Sequence, residues 1–186
     1  AECGEHTDIA LDSKGMPHII YEAGSVEYRH WNGSYWQEEE PEYYSEQGSL
    51  VIAEIDGEDY SFISYNYNGE FRYDVFNGVN WSHQYFGDEG VTVAASSIDT
   101  TLYYNELNEK DMYGAGVSYY DEENGDLYFR FNKYPTGSYI GNWGDPILVD
   151  GGDSDAGEAC SLAFGEDGKA YIAYYDYSDD RETGSL

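Results

Sequence analysis

Ile172-Ala173-Tyr174-Tyr175-Asp176 repeats a phrase that the chain has already used three times. The earlier copies are Ile19-Ile20-Tyr21-Glu22, Ile63-Ser64-Tyr65-Asn66 and Val117-Ser118-Tyr119-Tyr120-Asp121, each followed by a turn containing Gly or Asp. A phrase recurring at a near-constant interval sets the architecture before any single residue is considered, because each copy marks one supersecondary unit.

Around each copy lie further short strands. In the first repeat Ile9-Ala10-Leu11-Asp12 comes before it, with a turn at Ser13-Lys14-Gly15. A third strand, Val26 to Trp31, follows Ala23-Gly24-Ser25, and Asn32-Gly33-Ser34 leads to a fourth opening Tyr35-Trp36. Asn-Gly between alternating stretches is a strong hairpin signal. The second repeat runs through Ala53-Glu54-Ile55-Asp56, Phe62 to Tyr65 and Phe71 to Phe76, then Asn77-Gly78 and a strand from Asn80-Trp81. Each unit reads as a four-stranded antiparallel meander. In the longer third repeat the opening strand falls on Ser97-Ile98-Asp99 or on Leu102-Tyr103-Tyr104, and the last connection runs through Tyr134-Pro135-Thr136-Gly137 to Trp143. The fourth holds Leu162-Ala163-Phe164, the turn Glu166-Asp167-Gly168 and the opening phrase; by the earlier spacing its third and fourth strands are missing.

The third strands align position by position. Val26, Tyr28 and His30 correspond to Phe71, Tyr73 and Val75, and to Leu127, Phe129 and Phe131. Alternation with period two puts these on one face, the expected core face. Arg29, Arg72 and Arg130 fall on the other, where each is expected to pack its stem and pair with a carboxylate of a neighbouring sheet.

No shift of composition divides the chain, so we read one domain over 1–186, with repeats at about 6–47, 48–90, 91–150 and 151–186. The 38 acidic against 8 basic residues give a formal charge of -30, which repels nucleic acid and anionic lipid surfaces and is best tolerated where salt or divalent cations screen it. The 22 Tyr, 7 Phe and 4 Trp argue for a folded core despite that charge. No apolar run approaches the roughly 18 residues of a membrane span, and Ala1-Glu2-Cys3 has no leader character.

Four-stranded meanders about every 45 to 55 residues resemble the blades of a β-propeller. The best-marked pieces are Ile9 to Gly15, Ile172 to Asp176 and the endings Asn32 to Trp36 and Asn77 to Trp81. They resemble the repeats of secreted bacterial and archaeal propeller proteins, whose architecture is shared with sialidases and propeller lectins. The resemblance implies an all-β, propeller-like array of about three and a half to four blades. It implies no catalytic residues, since neither Asp12 to Gly15 nor Glu166 to Gly168 has the Trp of the sialidase Asp box at the required place. An open array leaves faces and edges uncovered. The chain is therefore part of a larger propeller, a small four-bladed ring, or a unit that copies of itself complete.

Several groups carry candidate chemistry. Trp36, Trp81 and Trp143 recur after the turn into the fourth strand, and with Tyr134 they are either sugar-stacking platforms or packing between blades. Asp150, Asp153, Asp155 and Glu158 share a Gly-rich loop whose oxygens suit calcium, or else form a solvated loop. Cys3 and Cys160 are either one disulfide of an oxidising compartment, which in a four-bladed ring would clasp the first and last blades, or separate thiols. Asn32 and Asn80 begin glycosylation sequons. His6, His18, His30 and His83 have no metal or triad spacing; His18 and His30 stand where other repeats hold apolar residues, so packing is expected. With no nucleophile elbow, P-loop or dinucleotide fingerprint, the leading expectation is a non-catalytic, secreted or cell-surface module that recognises glycan or protein. A structural subunit of an extracellular assembly and a propeller glycoside hydrolase or lyase are the alternatives, because architecture does not decide function.

Overall fold

The computed structural model describes residues 6–39, 41, 45–85, 92–105, 110–133, 143–152 and 155–177. The described residues form strands and turns without a helix, in two compact units, Ala1–Tyr85 and Phe86–Leu186.

The first unit holds two sheets. β1 (Thr7–Leu11), β2 (Pro17–Glu22), β3 (Val26–Trp31) and β4 (Trp36–Glu39) pair antiparallel in chain order. So do β5 (Ser45–Ile55), β6 (Glu58–Tyr67), β7 (Glu70–Phe76) and β8 (Trp81–Tyr85). In the second unit β9 (Val93–Asn105), β10 (Lys110–Asp121), β11 (Asp126–Asn132) and β12 (Ile147–Asp150) form the third sheet, and β13 (Asp155–Phe164) with β14 (Ala170–Tyr177) a two-stranded fourth. Both windows expected to open the third repeat lie within β9, one long strand.

Turn chemistry fixes the registers. Asp56-Gly57 and Asn68-Gly69 have positive φ at both residues, the conformation that matches the twist of a two-residue hairpin. The Asn-Gly pairs at 32–33 and 77–78 act differently, since only the glycine has positive φ. There the asparagine stays in the ordinary region and its Oδ1 accepts two backbone N–H groups: Asn32 from Ser34 and Tyr35, Asn77 from Val79 and Asn80.

Each sheet has a front and a rear face. The front face holds Ile9, Ile19, Tyr21 and Arg29 in the first sheet, and Leu50, Ile63, Tyr65 and Asp74 in the second; cross-strand register makes them equivalent position by position. The rear face of the first sheet, with Ile20, Val26 and Tyr28, packs on the front of the second, with Leu50, Ile63, Tyr65 and Phe76. The pairing of β5 with β6 shifts register between Glu46 and Ser49, where Gly48 lies against that rear face. A Cβ on Gly48 would lie 2.9 Å from Ile20 Cδ1, so a larger residue there would have to displace the Ile20 side chain. In the second unit Phe164 meets Phe129 and Phe131 edge-on, placing the rear of the third sheet on the front of the fourth in the same sense.

The expectation of a single core face is therefore incomplete. The second sheet buries Phe62, Phe71, Tyr73 and Val75 on its rear and Ile63, Tyr65, Asp74 and Phe76 on its front. In the third, Val117, Tyr119 and Arg130 are buried on the front face.

Candidate functional site

The three tryptophans keep one place in the ladder. Trp36 pairs with Trp31, Trp81 with Phe76, and Trp143 bridges Asn132, each opposite the third residue after the central aromatic Tyr28, Tyr73 or Phe129. Trp143 does not open the fourth strand of its sheet; that strand is β12, further along.

Their surroundings differ. The Trp81 ring lies 4.9 Å from Phe76 and edge-on to Tyr28 at 5.5 Å, packed against the core of the first unit, with its Nε1 buried. Trp143 is half-buried. Trp36 is 40 % exposed, and its ring meets Trp31 edge-on at 5.6 Å. Beside this pair stand exposed Tyr35 and the Arg29–Glu38 ion pair at 2.9 Å with the guanidinium over the Tyr21 ring, while Gln37, opposite His30 on the other face, accepts from the Asn32 side chain at 3.0 Å. This arginine pairs within its own sheet, as Arg72 does with Glu70; Arg130 donates to the Gly144 carbonyl. Tyr134 lies outside the described residues.

A polar knot sits in the seam of the first unit. The Tyr28 hydroxyl bonds His18 Nδ1 at 2.5 Å and Ser61 Oγ at 2.7 Å, and His18 Nε2 is 3.7 Å from Asp12. His30 stacks on His18, and Asp59 receives the Ser13 hydroxyl and N–H. Burial holds His18 below its ordinary pKa, with the neighbouring His30 adding to the shift against the pull of Asp12; burial lowers His30 too. Burial also pushes the Tyr28 phenol up. Tyr28 and Ser61 are buried, so a substrate has no access to this Ser-His-Asp set and it acts as a packing device. In the second sheet Asp74 is buried and accepts the Tyr65 hydroxyl at 2.8 Å, with His83 Nδ1 at 2.9 Å.

The acidic loop shows how a chain with 8 basic residues accommodates 38 acidic ones. Asp150 accepts the Tyr174 hydroxyl at 2.6 Å, Asp155 that of Tyr120 at 2.5 Å, and Asp126 that of Tyr128 at 3.1 Å. Phenol donors stand where a basic chain would use Lys or Arg. The carboxylates raise these phenol pKa values: for Tyr174 the Asp150 bond is the leading cause, for Tyr120 and Tyr128 burial leads and the bond adds to it. Glu158 is exposed on β13, and Asp153 lies outside the described residues. Among the described residues no group of three or more His, Cys, Asp or Glu side chains is placed to hold a metal ion.

Cys160 is half-buried, its thiol 3.5 Å from Ser118 Oγ and raised in pKa by burial; Cys3 lies outside the described residues. Asn80 is exposed at its turn, whereas the Asn32 side chain is engaged as described above. What the sequence did not reveal is the phenol pairing of Asp150 and Asp155, because their partners Tyr174 and Tyr120 come from other strands.

No family model matches the chain, and no curated protein does. Among solved structures it is similar to a triple Arg-to-Ala variant of AofleA from Arthrobotrys oligospora, at 11 % identity and a TM-score of 0.53 over 90 % of this chain and 44 % of that one. It is also similar to a Lys-to-Gly variant of NanB sialidase from Streptococcus pneumoniae, at 15 % identity and a TM-score of 0.59 over 91 % and 27 % respectively. The chain thus spans less than half the length of either structure. At such identities the likeness is one of fold: the protein is an all-β chain of propeller-type, four-stranded antiparallel blades.

Proposed function

We propose that the chain is a non-catalytic recognition module that binds glycan at the end of its first sheet. The observation that supports this most directly is the exposure of Trp36, edge-on to Trp31, at the position where Trp81 is packed into a core. An indole face takes the apolar face of a sugar ring, and the Arg29–Glu38 pair on the same face of the sheet offers a donor and acceptors to its hydroxyls. That a structure of like fold is a sialidase is consistent with a glycan ligand. The setting that best tolerates a charge of -30 is the saline exterior of a cell, where such ligands are displayed.

Titrating the chain with a panel of neutral, acidic and sialylated oligosaccharides, read by tryptophan fluorescence and calorimetry, tests the reading. Saturable binding that Trp36→Ala weakens by about tenfold or more is expected. A flat response across the panel, or full affinity in the Trp36→Ala chain, overturns it.

A further inference from the structure

We infer that the open front face of the first sheet is an interface for a second copy of this chain, which seats the rear face of its last sheet there, head to tail. This contact uses Ile9, Leu11 and Ile19 on one copy and Tyr171, Tyr175 and Tyr177 on the other; Trp31 and Trp36 share that front face, where the equivalent Trp81 is packed by the first sheet, so a seated copy and a glycan at Trp36 compete.

The argument rests on what the repeats do at each position. Register equates Ile9 with Leu50, Ile98 and Leu162, each paired with the first residue of the recurring phrase. Leu50, Ile98 and Leu162 are 5 %, 4 % and 6 % exposed, whereas Ile9 is 62 % exposed, with Leu11 exposed beside it. On the rear face the asymmetry reverses. Ile20, Val26 and Tyr28 of the first sheet and Phe62 and Tyr73 of the second are buried, but Tyr171, Tyr175 and Tyr177 of the last are exposed. Among the described residues, the first and last sheets thus leave uncovered the two halves of the contact that the first sheet makes with the second and the third with the fourth.

A specific bond repeats at that contact. The Leu50 N–H donates to the Asp8 carboxylate at 2.9 Å, and the Leu162 N–H to the Ser97 hydroxyl at 3.0 Å. Asp8 and Ser97 are equivalent residues on the rear faces of their sheets, as Leu50 and Leu162 are on the fronts. In the last sheet the residue at the acceptor position is Ser161, exposed. A second copy therefore brings its own Ser161 hydroxyl to the Ile9 N–H, which in this structure turns to the side chain of Asp8 at 2.8 Å.

A front-to-rear contact is heterologous, so it extends into a ring or a filament. The six contact side chains are uncharged while each chain carries -30, so salt strengthens the association by screening the repulsion between copies.

Sedimentation and native mass spectrometry at rising protein concentration, in low and high salt, test the inference with the full chain and two variants, Leu11→Asp and Tyr175→Asp. Both substitutions sit at exposed positions, and circular dichroism checks that each variant stays folded. The native chain is expected to form multiples of its mass, more so in high salt. Each variant alone is expected to be monomeric, and an equimolar mixture to form one-to-one dimers, because each retains the face that the other has lost. A native chain that stays monomeric at every concentration assigns the faces to another occupant and overturns the inference. So does association that Leu11→Asp abolishes and Tyr175→Asp leaves intact, the mark of two first sheets meeting face to face.

Discussion

The first and second sheets share strand order, register and the Asn-Gly turn into the fourth strand, yet the second has both faces buried while the first has only its rear face buried. The same tryptophan position is a core residue in one sheet and a surface residue in the other. A repeat fixes where a side chain points; the neighbouring sheet decides what that side chain does. The largest test of the difference is truncation at the two tryptophans. Trp81→Ala empties a site bounded by Phe76 and Tyr28 and is expected to cost about 3 kcal/mol of stability. Trp36→Ala removes a partly solvated ring and is expected to cost less than about 1 kcal/mol. Urea titration of both variants reads the difference, and equal losses would mean that the first sheet's front face is covered in solution.

Next in size is the seam knot. Tyr28→Phe leaves the ring packing and removes the hydroxyl between His18 and Ser61, so two buried polar groups lose a partner at once. A loss of about 2 kcal/mol is expected, measurable by the same titration. A neutral result would mean that Ser61 and His18, 3.4 Å apart, close up and satisfy each other.

Much of this comparison was legible in the sequence, for a physical reason. Turn residues and period-two alternation are local, so the strands from Thr7 to Tyr85 fall where the repeat predicts. The failures are non-local. A strand buried on both faces ordinarily reads as a nearly continuous apolar run, but Phe71 to Phe76 is broken by Arg72 and the buried Asp74, so its alternation showed one core face where there are two. The long connection after Asn132 separated Trp143 from the strand it was expected to open. The phenol partners of Asp150 and Asp155 lie 24 and 35 residues away, and no spacing rule reaches that far.

The rear faces differ in a way that pH exposes. His18 stands in the first sheet where Phe62 stands in the second, and His30 where Val75 stands. Both histidines are held below the ordinary value of 6.5 by burial, so the unfolded chain takes up protons that the folded chain refuses. Unfolding is then favoured progressively as pH falls below about 6.5 towards the folded values, and this term vanishes above it. Relative to the native chain, His18→Phe is expected to lose less stability over that acid window. Thermal melts of the two chains should run parallel above it and diverge below, and parallel curves throughout would show His18 protonating as freely folded as unfolded.

The smallest expected effect is a difference near zero. Asn32 and Asn77 each accept two backbone N–H groups at 2.8 to 3.1 Å across the same four-residue turn. These turns are exposed, so water replaces much of what the side chain supplies, and Asn32→Ala or Asn77→Ala should each cost about 1 kcal/mol or less. Unlike the tryptophans, both asparagines accept only within their own turn, so the open front face of the first sheet should not enter and, unless the Asn32–Gln37 bond contributes, the two losses should match. A larger loss at Asn77 would show that its turn supports the packed Trp81 as well as closing the hairpin. A larger loss at Asn32 would point to its other bond, to Gln37, as a strut for the exposed Trp31–Trp36 pair.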